Sequence, residues 1–332
     1  MSIEASAKAF LENYKRVREE IHKVIVGHDE IVDGTLTSLF AGGHVLLEGV
    51  PGLGKTLLVR TLSHILDLNF SRIQFTPDLM PADILGTNIV METGDGRKHF
   101  EFQRGPIFAH MVLADEINRA TPKTQSALLE AMQEQSVTAG GKMRPLDKPF
   151  FVLATQNPID QEGTYPLPEA QVDRFFFKLI VNYPNEPDLM EVLRRTTQGE
   201  SATLEKILNG PAILEMQALV KQVVVATHVM NYAVRLTMAS HPNSPHATDL
   251  ANRFLRFGSS PRGAQTLILA AKVTALIEGR YNVSFDDIRK AARPALRHRL
   301  LVNFEGEAEG ITSEKIIDEI LAKTPTEAKT GS

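Results

Sequence analysis

Cysteine is absent from the 332 residues. That excludes disulfides, zinc–thiolate sites, iron–sulfur clusters and cysteine nucleophiles. No run approaches the ~20 consecutive apolar residues that a membrane span requires, so membrane insertion is not expected. The first 26 residues mix Lys, Arg and Glu throughout and lack the apolar core of a signal peptide; a cytoplasmic location is expected. Basic charge is not in excess: 36 Lys and Arg stand against 40 Asp and Glu, a formal −4. Chains that grip duplex phosphates carry a basic surplus, so nucleic acid is disfavoured as a partner. The ten histidines show no metal-ligand spacing, and no internal repeat is present. What remains is 43% hydrophobic and 23% charged, an ordinary globular composition with material for two domains.

The apolar residues alternate between two periods. His44-Val45-Leu46-Leu47-Glu48-Gly49 is a β-type run that ends in a Gly-rich loop, and Leu57, Leu58, Leu62, Ile65 and Leu66 follow at helical spacing. Further β-type runs lie at 70–75, 111–115, 150–155 and 175–181, with helix-like segments between most of them. Such alternation predicts an α/β fold, a parallel sheet flanked by helices. Ahead of it, Phe10, Leu11, Tyr14, Val17 and Ile21 predict an amphipathic helix. Asn182-Tyr183-Pro184-Asn185-Glu186-Pro187 reads as a linker. Beyond it only helices are expected, at 188–197, 213–224, 227–238, 261–279 and 284–293. The last opens on Ser284 with Asp287 three residues on, a capping-box pattern. The expected division is therefore an α/β domain at 1–183 and an all-helical domain at 184–332. Two stretches, 89–102 with its Asp95-Gly96 turn and 137–143, predict hairpins.

Gly49-Val50-Pro51-Gly52-Leu53-Gly54-Lys55-Thr56 matches the phosphate-loop pattern G-x-x-x-x-G-K-[ST]. Glycines let the backbone curl until its N–H groups converge on phosphate oxygens. The helix that starts near Lys55 adds a partial positive charge at its N-terminus. In this pattern Lys55 bridges the β- and γ-phosphates and the Thr56 hydroxyl sits on Mg²⁺.

A phosphate loop needs a carboxylate on a neighbouring strand. Met111-Val112-Leu113-Ala114-Asp115-Glu116 supplies one at the end of an apolar run, where open α/β sheets bind ligands. Asp115 reads as the magnesium carboxylate and Glu116 as the general base for water. Asn157, in Thr155-Gln156-Asn157-Pro158, offers a neutral amide that can orient water without competing for metal. Arg174, in Asp173-Arg174-Phe175, reads either as a surface ion pair or as an arginine finger aimed at a neighbouring subunit. Arg119 reads as interface or as helix-surface charge, with nothing to choose between them.

This order of motifs resembles the AAA+ ATPases, and the MoxR family most of all. The resemblance is carried by residues 49–56, by Leu113-Ala114-Asp115-Glu116-Ile117-Asn118-Arg119-Ala120, and by Ala154-Thr155-Gln156-Asn157-Pro158. Pro168-Glu169-Ala170-Gln171-Val172-Asp173-Arg174-Phe175, Gly258-Ser259-Ser260-Pro261-Arg262-Gly263 and Arg297-His298-Arg299-Leu300 extend it over nearly the whole chain. The resemblance implies a helical lid as the second domain. It implies that ATP and Mg²⁺ are the cofactors and that 49–56 is Walker A. Asp115 and Glu116 would be Walker B, Asn157 sensor 1, Arg174 the arginine finger and Arg262 sensor 2. Nucleotide contacts would come from Gly49, Val50, Pro51, Gly52, Leu53, Gly54, Lys55, Thr56 and Leu57. Val26, Gly27 and Arg262 would add to them, with His28 standing where the family has Gln. Thr56 and Asp115 would hold the metal. The hairpins resemble the helix-2 insert and the pre-sensor-1 hairpin of that clade. The family also implies a ring, usually a hexamer, a partner carrying a von Willebrand factor A domain, and a protein client that is remodelled, matured or activated.

Two other functions compete. A nucleic-acid motor would use the hairpins, and Arg97, Lys98 and Phe100 favour it, but the −4 charge and the lack of an aromatic patch interleaved with Lys or Arg oppose it. A nucleotide-gated binding module with little turnover would have no use for Glu116.

Overall fold

The structure, a computed structural model, describes residues 3–50, 52–92, 94, 98–158, 164–197 and 202–326. Two helices open the chain, α1 (Ile3–His22) and α2 (Asp29–Ala41). Strand β1 (Val45–Glu48), helix α3 (Lys55–Ile65), β2 (Phe70–Gln74) and the short α4 (Pro81–Leu85) follow. Then come β3 (Gly86–Glu92), β4 (Lys98–Arg104), β5 (Met111–Asp115), α5 (Pro122–Glu134), β6 (Ser136–Ala139) and β7 (Lys142–Pro145). Strand β8 (Phe151–Gln156), the one-turn α6 (Glu169–Val172) and β9 (Phe177–Ile180) complete this half.

Five strands form one parallel sheet in the order β2-β5-β8-β1-β9. The three central strands, β5, β8 and β1, are buried on both faces, as a helix-covered parallel sheet requires, while edge strand β2 is partly exposed. Alternate residues feed two cores. Val45, Leu47, Met111, Leu113 and Leu153 join α1, α2, α3 and the later helices. Leu46, Val112, Ala114, Val152 and Ala154 join α5 and Phe175. Phe10, Tyr14, Val17 and Ile21 of α1 are all buried, as their spacing predicts. At the carboxyl edge the central strands turn polar, where Gln74 pairs in register with Asp115 and Glu48 with Gln156. At the opposite edge buried His44 ties three elements together. Its Nδ1 accepts from the Val152 amide at 3.0 Å, so Nε2 carries the proton and donates to the Met132 carbonyl at 3.2 Å. Burial holds its pKa down to about 4.

The second half contains α7 (Glu186–Thr197), α8 (Gly210–Gln222), α9 (Thr227–Ala239), α10 (Asp249–Phe254), β10 (Leu255–Phe257) and α11 (Pro261–Ile277). Helix α12 (Phe285–Leu296), β11 (Leu301–Val302), α13 (Phe304–Ala308) and α14 (Ser313–Lys323) end it. It is not purely helical: β10 and β11 pair antiparallel. The five expected helices are present, and α12 runs past Pro294 to Leu296. Proline near a helix end forfeits one hydrogen bond and is tolerated there when the last turn is packed. Ser284 and Asp287 form the expected capping box, with Asp287 Oδ2 accepting from the Ser284 amide at 2.7 Å.

Both expected hairpins form. β3 and β4 pair antiparallel from Gly86↔Arg104 to Glu92↔Lys98; the Asp95-Gly96 turn lies outside the described residues, as does Arg97. β6 and β7 pair around Gly140 and Gly141, both at positive φ. The hairpins touch. The Arg144 guanidinium lies 3.5 Å from the centre of the Phe102 ring, and a Cβ on Gly140 would fall 2.7 Å from the Asn88 side chain. Phe100 and Met143 are three-quarters exposed beyond this contact.

Candidate nucleotide site

The sheet's carboxyl edge opens into two adjoining clefts. The lower is polar, lined by Gly49, Gly52, Gly54, Lys55, Thr56 and Leu57 with Arg72, Gln74, Asp115, Glu116 and Asn157. The upper is mainly apolar, about 410 Å³, and includes Val26, Ile31, Leu53, Leu58, Val181 and Tyr183 in its walls. An apolar slot beside a polar one suits a flat base joined to a charged tail. Gly52 (φ 88°) and Gly54 (φ 75°) take the left-handed conformation, and a Cβ on either would point into open space. The loop backbone is thus bare on the side that faces the cleft. His28 lines the upper cleft and Gly27 flanks it, pressed against Asp188 of α7. Val50 lines neither cleft, and Pro51 lies outside the described residues.

Lys55 opens α3, and its ammonium donates to the Gly49 carbonyl at 2.7 Å. Burial lowers its pKa, while Asp115 and Glu116 act in the opposite sense. Asp115 is held on both oxygens. Thr155 Oγ1 donates to Oδ1 at 2.6 Å, and Arg72 donates to Oδ2 from Nε at 3.1 Å and Nη2 at 2.7 Å. Thr155 Oγ1 also accepts from the Glu116 amide at 2.8 Å. Glu116 Oε2 accepts from Gln74 at 3.1 Å and Arg119 at 3.0 Å. Its backbone sits at φ 56°, ψ 49°. A β-carbon pays for that left-handed conformation, and strain of this kind clusters at functional residues. The Asp115 carboxylate and the Thr56 hydroxyl are hard oxygen donors on one cleft, the chemistry a magnesium ion takes when phosphates complete its shell. The Arg72 guanidinium against Asp115 shows that this carboxylate already accommodates a cation.

Arg174 and Arg262 line neither cleft. Arg174 borders a separate surface concavity with Ser126, Glu130, Glu134 and Gln171, and donates from Nη1 to the Leu129 carbonyl at 2.7 Å. Arg262 pairs with Asp173 at 3.6 Å, beside Arg174, and with Gln133 at 3.3 Å. Asp173 is the centre of this second cluster. Ser260 Oγ donates to its carboxylate at 2.8 and 2.9 Å, and Arg299 Nε does so at 2.8 Å. Buried Arg299 also donates to the Phe175 carbonyl at 2.7 Å and to the carbonyls of Ala295, Phe176 and Asp173. His298 bonds the Phe175 carbonyl at 3.1 Å, and burial holds its pKa well below the usual imidazole range. The end of α12 is in this way fastened to the segment that carries Arg174.

Sequence reasoning missed Arg72, Gln74 and Thr155, and left Arg119 without a partner. One signal was there. Arg72 and Gln74 are two apart, so both point to one face of β2, next to the strand that bears Asp115. Nothing in the spacing marked Thr155 as the hydroxyl beneath Asp115, because that contact depends on the β5–β8 register.

The comparisons with known proteins agree with this geometry. The model of the ATPase family associated with various cellular activities (AAA) matches residues 44–177, and that of the AAA lid domain matches 247–320. Chaperone MoxR1 of Mycobacterium tuberculosis is 43% identical over 303 residues, 91% of this chain and 79% of that protein. Protein MoxR of Paracoccus denitrificans is 30% identical over 336 residues, covering 95% and 96%. A crystal structure of a candidate ATPase from Cytophaga hutchinsonii superposes with a TM-score of 0.91 at 42% identity, over 97% of each chain. A sheet in the order β2-β5-β8-β1-β9, a glycine loop on its carboxyl edge and relatives of this identity along the full length make the chain a member of the MoxR family of AAA+ ATPases.

Proposed function

We propose that the chain binds ATP with Mg²⁺ in the cleft around Lys55 and hydrolyses it to drive remodelling, maturation or activation of a partner protein complex. The observation that carries this reading is the convergence of Lys55, Thr56, Asp115, Glu116 and Asn157 on one polar cleft beside an apolar slot. In this reading Gly52, Gly54 and Lys55 hold the phosphates. Thr56 and Asp115 would hold the metal, whose charge would neutralise the phosphate oxygens. Glu116 takes the proton of the attacking water, and Asn157 orients that water.

Arg174 lies outside its own subunit's clefts, on a concave surface, which supports a ring in which it reaches a neighbour's nucleotide. Arg262, on the same cluster, would reach that neighbour too. A hexamer is the assembly we favour, with residues 1–183 as the nucleotide-binding domain and 184–332 as the lid. A partner with a von Willebrand factor A domain, a protein client and a cytoplasmic location follow from the family. Among the described residues no helix is long and apolar enough to cross a membrane. A named chaperone at 43% identity supports the remodelling role.

The test is steady-state ATP hydrolysis against protein concentration, with Glu116→Gln as the blank. Specific activity is expected to rise with concentration, because the site is completed between subunits. Flat activity above the blank would remove Arg174 from its role. No activity at any concentration would favour a nucleotide-gated module instead.

A further inference from the structure

We propose that Arg72 is the resident counter-ion of Asp115, and that divalent metal reaches this carboxylate, together with nucleotide, by displacing it. The inference rests on the nucleotide reading above and deepens it: Arg72 becomes a positioning residue for the metal.

The geometry is one of competition. Both oxygens of Asp115 already accept hydrogen bonds, Oδ1 from Thr155 and Oδ2 from two N–H groups of Arg72. The Thr155 bond comes from a buried hydroxyl on β8 and is part of the fold. The Arg72 bond comes from a side chain that is 45% exposed, against 15% for Asp115. Arg72 can therefore swing off into solvent, and the charge it leaves on Asp115 is the one an incoming cation takes. The two Arg72 N–H groups take both lone pairs of Oδ2, so a hard cation on that oxygen competes with the guanidinium.

Arg72 also has somewhere to go. It lines the same cleft as Lys55 and Thr56. A polyphosphate in that cleft matches the fork of a guanidinium as well as a carboxylate does. Each group keeps a partner of opposite sign: Asp115 trades a guanidinium for a metal, and Arg72 trades a carboxylate for a phosphate. Gln74 Oε1 accepts from Arg72 Nη2 at 2.8 Å and steadies the guanidinium on the strand face. Metal without nucleotide would have to evict Arg72 with no new partner to offer it. The site is thereby biased toward taking both together.

The experiment measures binding, not turnover. Dissociation constants for methylanthraniloyl-ADP are taken in EDTA and in excess Mg²⁺, for the wild type, Arg72→Ala, Arg72→Lys, Asp115→Asn and the Arg72→Ala/Asp115→Asn double variant. The ratio of the two constants reports how strongly the metal supports nucleotide binding. With the competitor gone, Arg72→Ala should raise that ratio about three- to tenfold over wild type. Arg72→Lys should fall between, since an ammonium keeps the charge but loses the two-pronged grip. In the Asp115→Asn background, removing Arg72 should leave the ratio unchanged. Should Arg72→Ala fail to fold, Arg72→Gln reads the same quantity. An unchanged ratio in Arg72→Ala overturns the inference, because a merely structural arginine moves both constants together. A rise that persists in the double variant overturns it as well. A wild-type chain that binds no nucleotide in either condition overturns the nucleotide reading itself.

Discussion

Around Lys55 the charged side chains are partly exposed and share their partners. Arg72 serves both Asp115 and Gln74, and Glu116 is shared by Gln74 and Arg119. Around Asp173 the arrangement is the reverse. Arg299, with a side chain only 2% exposed, donates to one carboxylate and four carbonyls, and Ser260 caps both α11 and the same carboxylate. The first region can change partners at little cost, as a site that takes up a ligand must. The second can hardly change partners at all, as would suit the proposed reach of Arg174 to a neighbouring subunit. One chain thus carries an adaptable polar cluster and a rigid one, at separate places on its surface.

The sharpest way to test this contrast is to damage each half alone. Lys55→Ala should weaken nucleotide binding by at least about 100-fold, since it removes the ammonium beneath the phosphates. Arg174→Ala should bind nucleotide normally and hydrolyse about 10³-fold more slowly, the range for loss of an arginine finger. Mixing Arg174→Ala with Glu116→Gln should restore part of the activity, because each supplies the half the other lacks. Fluorescent-nucleotide titration and phosphate release measure both. A mixture no more active than its components would dissolve the distinction between the halves.

Stability should separate the regions next. Arg299→Ala leaves Asp173 and several carbonyls without their donor and should cost ~3–5 kcal/mol. Arg72→Ala, at an exposed pair, should cost less than ~1 kcal/mol. Urea denaturation of the two variants compares them directly, and equal losses would contradict the rigid-versus-adaptable division.

The remaining contrast concerns pH. His44 and His298 are neutral when folded, their pKa values lowered by burial. In the unfolded chain they take up protons below about pH 6.5. Folding stability should therefore be fully present above pH 6.5 and decline as the pH falls, because the unfolded state binds the extra protons. For His44 the decline ends near pH 4, where the folded imidazole also protonates. Its share over that window is about 3 kcal/mol. His44→Gln keeps one donor and one acceptor but does not titrate. It should flatten the slope between pH 6.5 and 4 in denaturation curves, whereas an unchanged slope would assign the loss to other groups.

Much of the fold was legible because it follows from period and punctuation. The buried central strands β1, β5 and β8 read as apolar runs, and the capping box at Ser284 set the start of α12. The phosphate loop and the Asp115-Glu116 pair were legible for a different reason: their chemistry demands particular residues at adjacent positions. The rest was hidden where contacts join distant segments. Thr155 beneath Asp115, Arg72 beside it and Arg299 around residues 173–176 all depend on strand register or on how α12 docks. No local spacing encodes those. The β10–β11 pair was missed because two and three residues are too few for a period to show. Arg262 carried a recognisable Ser-Pro-Arg setting, yet its place beside Asp173 rather than on its own subunit's cleft is a property of docking.

The contact between the hairpins has a mechanical consequence. The Arg144–Phe102 stack makes a single arm of two loops that leave the chain 50 residues apart. It exposes Phe100 and Met143; its two roots run into α4 and α5. Helix α5 follows the short turn that begins at Glu116. The paired hairpins thus bracket Glu116 along the chain, joined to it through β5 on one side and α5 on the other.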